Sequence, residues 1–129
     1  MASDSLVVLD SSAVIAFAGG EAGADVVGRR LLNAAISAVN AVECISVLAR
    51  FLPISEAATV VSRLGLRIVP CDWDIGVVAA SIHAATRDRG LSLGDCICLA
   101  TAKNLGVSAL TADGAWRGLS IGVEINLIR

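Results

Sequence analysis

Apolar and polar positions along the chain alternate between two periods. Leu6-Val7-Val8-Leu9 is an unbroken, β-branched-rich run that stops at Asp10-Ser11-Ser12. It reads as a strand buried on both faces, over about 6 to 10, with the polar triplet opening a helix. A short helix over 13–18 closes at Gly19-Gly20. A second, over 24–33, turns Val26, Val27, Leu31 and Leu32 inward and Arg29-Arg30 outward. Ala35-Ile36-Ser37 is a weak strand. The helix after it, about 39 to 51, carries Val42, Ile45, Val47 and Leu48 on its apolar side and is stopped by Pro53. Ser55 is the expected N-cap of the next helix, with Glu56 in its first turn and Gly65 beyond its end. Leu66-Arg67-Ile68-Val69 alternates as a strand, and Asp72 caps a longer helix over about 73 to 88. Ser92-Leu93-Gly94-Asp95 has capping-box spacing, with Asp in place of the preferred Glu, and opens a helix to Leu105. Val107-Ser108-Ala109-Leu110-Thr111 is a buried strand followed by the turn Ala112-Asp113-Gly114, and 122–127 forms the last strand.

Strands alternating with helices predict an α/β domain with a mainly parallel sheet and right-handed crossovers, one domain over 1–129. Composition agrees. Hydrophobic residues make up 56% and aromatic ones 3%, with no Tyr, so Ala, Val, Leu and Ile must build the core. Mean hydropathy is +0.78, yet every apolar run breaks before the ~18 residues a membrane span needs. The run from Ile75 to Ile82, for example, meets His83 and then Arg87-Asp88-Arg89. Asp4 and the lack of a basic N-terminal region argue against a secretory leader, so a cytoplasmic protein is expected. Cys44, Cys71, Cys96 and Cys98 fit neither zinc spacing nor a disulfide framework and read as reduced thiols.

Net charge is -2, without the basic excess of most nucleic-acid binders, but divalent metal held by carboxylates would change that sum. Asp10 sits at a strand's C-terminal end, where open parallel sheets bind ligands, and Asp113 follows another. Asp95 and Glu43 fall early in helices, whose N-termini favour acids. Taken singly, Asp95 reads as a capping acid and Asp113 as a turn residue. Glu43 is harder to explain. It stands in Val39-Asn40-Ala41-Val42-Glu43-Cys44-Ile45 with no cation nearby in sequence, and since an unpaired buried carboxylate costs several kcal/mol it needs a metal, an arginine from elsewhere or an exposed edge. Four acids at one edge, without His or Cys, suit Mg²⁺ or Mn²⁺. His83, mid-helix among Ala and Ile, reads as structural rather than as a general base.

These stretches resemble the PIN-domain ribonucleases, and more closely the VapC toxins of type II toxin–antitoxin systems. The resemblance rests on Val8-Leu9-Asp10-Ser11-Ser12 and on Ser37-Ala38-Val39-Asn40-Ala41-Val42-Glu43. It continues through Leu91-Ser92-Leu93-Gly94-Asp95-Cys96-Ile97-Cys98-Leu99-Ala100-Thr101-Ala102 to Leu110-Thr111-Ala112-Asp113-Gly114-Ala115-Trp116. It implies a PIN-like three-layer α/β/α domain with a central, mainly parallel twisted sheet of roughly 4–5 strands. It also implies Mg²⁺-dependent endonucleolytic cleavage of RNA by metal-activated water, leaving 5′-phosphate and 3′-OH ends. Asp10, Glu43, Asp95 and Asp113 match the family's catalytic and metal-binding acids, and Ser12 and Thr111 its auxiliary hydroxyls. The family often has Thr after the first acid, where this chain has Ser11. It often has a basic residue in the loop at the last acid, where this chain reads Thr111-Ala112-Asp113-Gly114.

Arg29, Arg30, Arg87, Arg89 and Arg117 are the candidate RNA contacts. The resemblance further implies a homodimer and a small cognate antitoxin. Val14, Phe17, Val26, Val27, Leu31 and Leu48 are candidates for its groove, or else plain core. Phosphatase and receiver-domain readings fail, since Ser12 stands where a second Asp would be needed and Asp10 has no acidic neighbour. The remaining alternative is a non-catalytic PIN-like scaffold acting through protein contacts.

Overall fold

The three central strands are short and apolar because they are covered on both faces, whereas the edge strand over 67–69 is largely exposed. A computed structural model describes residues 5–129; the N-terminal stretch with Asp4 lies outside the described residues. Among the described residues are β1 (Val7–Leu9), β2 (Ala34–Ser37), β3 (Arg67–Val69), β4 (Ser108–Thr111) and β5 (Ile125–Leu127). They form one sheet in the order β3-β2-β1-β4-β5, every neighbouring pair parallel, with Val8 level with Ala35 on one side and Ala109 on the other. The expected mainly parallel sheet is therefore wholly parallel.

Six helices connect the strands: α1 (Ser11–Ala18), α2 (Ala24–Gly28), α3 (Ala38–Leu48), α4 (Ile54–Arg63), α5 (Trp73–Ala85) and α6 (Leu93–Leu105). Successive strand residues face opposite ways, which splits the core in two. Val8, Ala35 and Ala109 pack with Ile75, Ala79, Ile82, Leu99 and Trp116, mostly from α5 and α6. Val7, Leu9, Ile36 and Leu110 pack with Val14, Val27, Cys44 and Val61, from α1, α2, α3 and α4. The three layers follow from this division.

Several boundaries differ from the periodicity. The helix expected over 24–33 stops at Gly28, where the ring of Phe17 lies 3.2 Å from the place a Cβ would take. A 3₁₀ turn over Leu31–Asn33 follows, and it leaves Leu32 fully exposed rather than inward. α4 begins at Ile54, directly after Pro53, so Ser55 lies inside the helix instead of capping it. Proline's fixed φ is already suited to a helix start. α3 ends at Leu48 and α5 at Ala85, and a 3₁₀ turn over Arg87–Arg89 continues from α5. The last strand shortens to Ile125–Leu127. The capping box of α6 is present as expected. No helix among the described residues is long and apolar enough to cross a membrane.

Candidate functional site

Because all five strands run the same way, their C-terminal ends share one edge. The winding reverses between β1 and β4, the crevice where such sheets bind ligands. Asp10 follows β1, and Asp113 lies two residues after β4. α3 starts where β2 ends, carrying Glu43 in its second turn. α6 leads into β4, so its first turn, with Asp95, lies at the same edge.

Asp10 is almost fully buried, at 3% exposure. Its Oδ1 accepts from Ala13 N at 2.8 Å and its Oδ2 from Thr111 Oγ1 at 2.6 Å. Ser12 Oγ donates to both oxygens at 2.8 Å. Burial nevertheless dominates, and with the charge of Asp95 it pushes the carboxyl up to about 6 against those hydrogen bonds. Thr111 Oγ1 in turn accepts from Asp113 N, and Ser12 Oγ from Ala112 N, each at 3.0 Å. Both expected hydroxyls thus tie the turn carrying Asp113 to Asp10.

Glu43 is half-buried, with Oε1 accepting from Asn40 Nδ2 at 2.7 Å. Asp95 Oδ2 accepts from Ser92 N at 3.0 Å in the capping box. Asp113 Oδ1 accepts from Ala115 N at 2.9 Å. The capping and turn roles expected of Asp95 and Asp113 are therefore real. Among the described residues, each of these three acids keeps a second oxygen that accepts no hydrogen bond.

Two buried thiols register the grouping of the acids. Burial first, then the charges of Asp10, Asp95 and Glu43, hold the Cys98 thiol well above its usual range. Burial, then Asp10 and Glu43, pushes Cys44 up to about 12. These cysteines stay protonated and are not ligands. The charges of Asp10, Glu43 and Asp95 thus all reach the buried Cys98 at this edge, and Asp113 is tied to Asp10 through Thr111. The ion pairs among the described residues, Arg29–Asp25 at 3.3 Å and Arg129–Glu21 at 3.1 Å, involve none of them.

Among the described residues, no three His, Cys, Asp or Glu side chains lie close enough to form a ready-made ligand set. The donor chemistry nonetheless fits a hard divalent cation such as Mg²⁺ or Mn²⁺. It is all oxygen, negatively charged and without a cationic partner.

The candidate RNA contacts separate. Arg87 and Arg117 are exposed, and Arg29 is exposed within its ion pair. Arg30 is half-buried, donating to Ser5 O at 3.1 Å. Arg89 is half-buried, its Nη2 donating to Ala115 O at 2.7 Å and to Arg117 O. It braces the turn behind Asp113, a role not read from the sequence. Asn40 and Gly94 were also missed. The available signal was a lone uncharged polar residue one helical turn before Glu43 in an apolar stretch.

Of the expected groove residues, Val14 and Val27 are core, and Phe17, Val26, Leu31 and Leu48 are half-buried against it. Val42, expected on the inward side of α3, is 63% exposed. It lines an open apolar cleft of about 740 Å³ with Val39, Val47, Pro70 and Cys71, and Glu43 also lines it.

Residues 7–121 match the sequence model of the PIN domain family. Among solved structures, a toxin–antitoxin complex from Klebsiella pneumoniae contains a chain of the same fold. It is 17% identical, with a TM-score of 0.73, over 95% of this chain and 98% of that one. A DNA-bound VapBC complex from Salmonella typhimurium gives 15% identity and a TM-score of 0.76, over 97% and 99%. VapBC-1 from nontypeable Haemophilus influenzae gives 13% and 0.73, over 95% and 98%. A comparison with curated proteins found no match.

Proposed function

Because the chain belongs to the PIN domain family, we propose that it is a Mg²⁺-dependent endoribonuclease, a VapC-like toxin neutralised by a cognate antitoxin. Residues 1–129 act as one such domain, in the cytoplasm. The observation that supports the reading is that Asp10, Glu43 and Asp95 all stand at the C-terminal edge of the sheet, beside the β1/β4 crevice, without a cationic partner among the described residues. Asp10 is a buried carboxylate with further acids at the same edge, and a cation that joined them would favour its charged form. The antitoxin is carried over from the neighbours, which are named as toxin–antitoxin and VapBC complexes.

Asp10, Glu43 and Asp95 would hold Mg²⁺, or Mn²⁺ in its place, and Asp113 would complete the set. A bound divalent cation there neutralises charge on a scissile phosphate and acidifies water. Ser12 and Thr111 hold Asp10 in one orientation and keep the Asp113 turn beside it. Exposed Arg87 and Arg117 supply phosphate contacts. With water as the nucleophile the 2′-OH takes no part, and the products are 5′-phosphate and 3′-OH ends.

The test maps the 5′ ends of RNA fragments made with and without Mg²⁺ by the parent, Asp10→Asn and Asp95→Asn proteins. Cleavage by the parent with Mg²⁺ alone, lost in both folded variants, is expected. Equal cutting by the variants, or cyclic 2′,3′-phosphate ends, sinks the site assignment. The scaffold alternative draws on the absence of a ready-made ligand set among the described residues. It requires that Mg²⁺ leave thermal stability unchanged, whereas binding to the native state raises it.

A further inference from the structure

The Glu43 side chain is held from two sides by groups that play no other part in the site. On one side stands Asn40, a polar residue at 1% exposure in the first turn of α3. Its Oδ1 accepts from Ser37 Oγ, and Ser37 Oγ itself accepts from Asn40 N at 3.0 Å. Its Nδ2 donates to Glu43 Oε1 at 2.7 Å and to Gly94 O at 3.1 Å. The orientation of the amide is not arbitrary. A carboxylate and a carbonyl can only accept, so the NH₂ must face Glu43 and Gly94, and the oxygen must face the serine hydroxyl. One buried side chain therefore joins the end of β2, the Glu43 carboxylate and the start of α6.

On the other side stands Gly94. A Cβ built there would lie 2.5 Å from Glu43 Oε2 and 3.0 Å from Cδ. The carboxylate occupies the space that any other residue at this position would fill. Gly94 lies in an ordinary helical turn rather than in the left-handed region, so backbone freedom does not account for glycine here. The close approach of Glu43 does.

We propose that Asn40 and Gly94 are positioning residues for Glu43. Asn40 holds Oε1, and the missing side chain of Gly94 leaves room for Oε2, so that the carboxylate stays at the acid cluster instead of turning into solvent. This rests on the reading of Glu43 as a metal-holding acid. Residues that orient a ligand in this way are commonly worth about 10- to 100-fold in metal affinity.

The test titrates Mn²⁺ alone into the full-length protein, without RNA, by calorimetry. It compares the parent, Asn40→Ala, Gly94→Ala, Glu43→Ala and the two doubles carrying Glu43→Ala. Circular dichroism and thermal melting establish that each is folded. Asn40→Ala and Gly94→Ala are each expected to weaken Mn²⁺ binding about tenfold. Neither is expected to weaken it further once Glu43 is Ala. This non-additivity is something a general loss of structure would not produce. If Asn40→Ala does not fold, Gly94→Ala reads the same arrangement from its other side, since Ala is the better helix former. If Glu43→Ala weakens binding while Asn40→Ala and Gly94→Ala leave it unchanged, the positioning inference is overturned and Glu43 keeps its role. Persistence of the Asn40→Ala or Gly94→Ala effect in the Glu43→Ala background also overturns it. If Glu43→Ala itself has no effect, the reading of Glu43 fails, and this inference fails with it.

Discussion

The carboxyl of Asp10 is raised from 3.8 to about 6, and this has a consequence for stability. The folded protein binds this proton more tightly than the unfolded chain does. Below about pH 4 both states hold it, and the group is neutral in its effect. As pH rises through 6 the buried group ionises at a cost, and stability is lost. At about 1.4 kcal/mol per unit, the full loss is about 3 kcal/mol. Without divalent metal, Asp10→Asn should therefore be the more stable protein at pH 8 and lose that advantage toward pH 4. Urea denaturation across the range measures this, and parallel curves for parent and variant would refute it. Mg²⁺ added at pH 8 should then stabilise the parent more than the variant. Asn40 teaches a related lesson at the same scale. Its type and its spacing from Glu43 were readable in the sequence, but its contact with Gly94, 54 residues away, was not.

Among the elements, the turn after β4 depends on a residue from a distant connection. Arg89, in the 3₁₀ turn before α6, donates to the carbonyls of Ala115 and Arg117 behind Asp113. Arg87 and Arg89 stand alike in the sequence as candidate RNA contacts, and only the contact of Arg89 with the turn after β4 separates them. The three arginines should therefore respond differently to substitution. Arg87→Ala and Arg117→Ala should each weaken RNA binding and reduce the salt dependence by roughly 0.7 to 1 in the log–log slope. Arg89→Ala should reduce cleavage by loosening the turn while leaving that slope nearly unchanged. Binding isotherms from 50 to 200 mM salt, run beside a cleavage assay, distinguish the cases. A full unit of slope lost in Arg89→Ala would make it a phosphate contact after all.

At the scale of the whole molecule, the excess of apolar residues has a visible location. Trp73 is 83% exposed, Val42 63% and Val77 51%. The cleft lined by Val42, Val47 and Pro70 meets a second one, lined by Trp73 and Val77, at Cys71. Exposed apolar patches of this kind mark interaction surfaces. If the homodimer that the family resemblance implies uses this face, Trp73→Asp should shift the protein toward monomer in light scattering and leave its helical content unchanged. An unaltered mass would place the interface elsewhere. The groove candidates on α1, α2, the turn at Leu31 and the end of α3 fall on the other side of their stated alternative, with Val14 and Val27 plain core and Phe17, Val26, Leu31 and Leu48 half-buried against it. Hydrophobic periodicity marks the apolar side of a helix but does not say whether a neighbouring helix covers it.

The alternation of apolar runs and capped helices was enough to determine an α/β fold with a parallel sheet. Strand burial, capping at Asp10, Asp72 and Ser92, and the stops at Gly19 and Gly106 are local chemistry that neighbouring residues carry by themselves. Asp10, Asp95 and Asp113 could be picked out for the same reason, each standing where a strand ends or a helix begins, and Glu43 by its apolar neighbours. Long-range contact decided what local chemistry leaves open. It brought Glu43 against Gly94, tied Asp10 to Thr111 across 101 residues, and turned Arg89 from solvent onto the Asp113 turn. Periodicity orients a side chain relative to its own helix or strand. Only the packing of one element on another determines which group it meets.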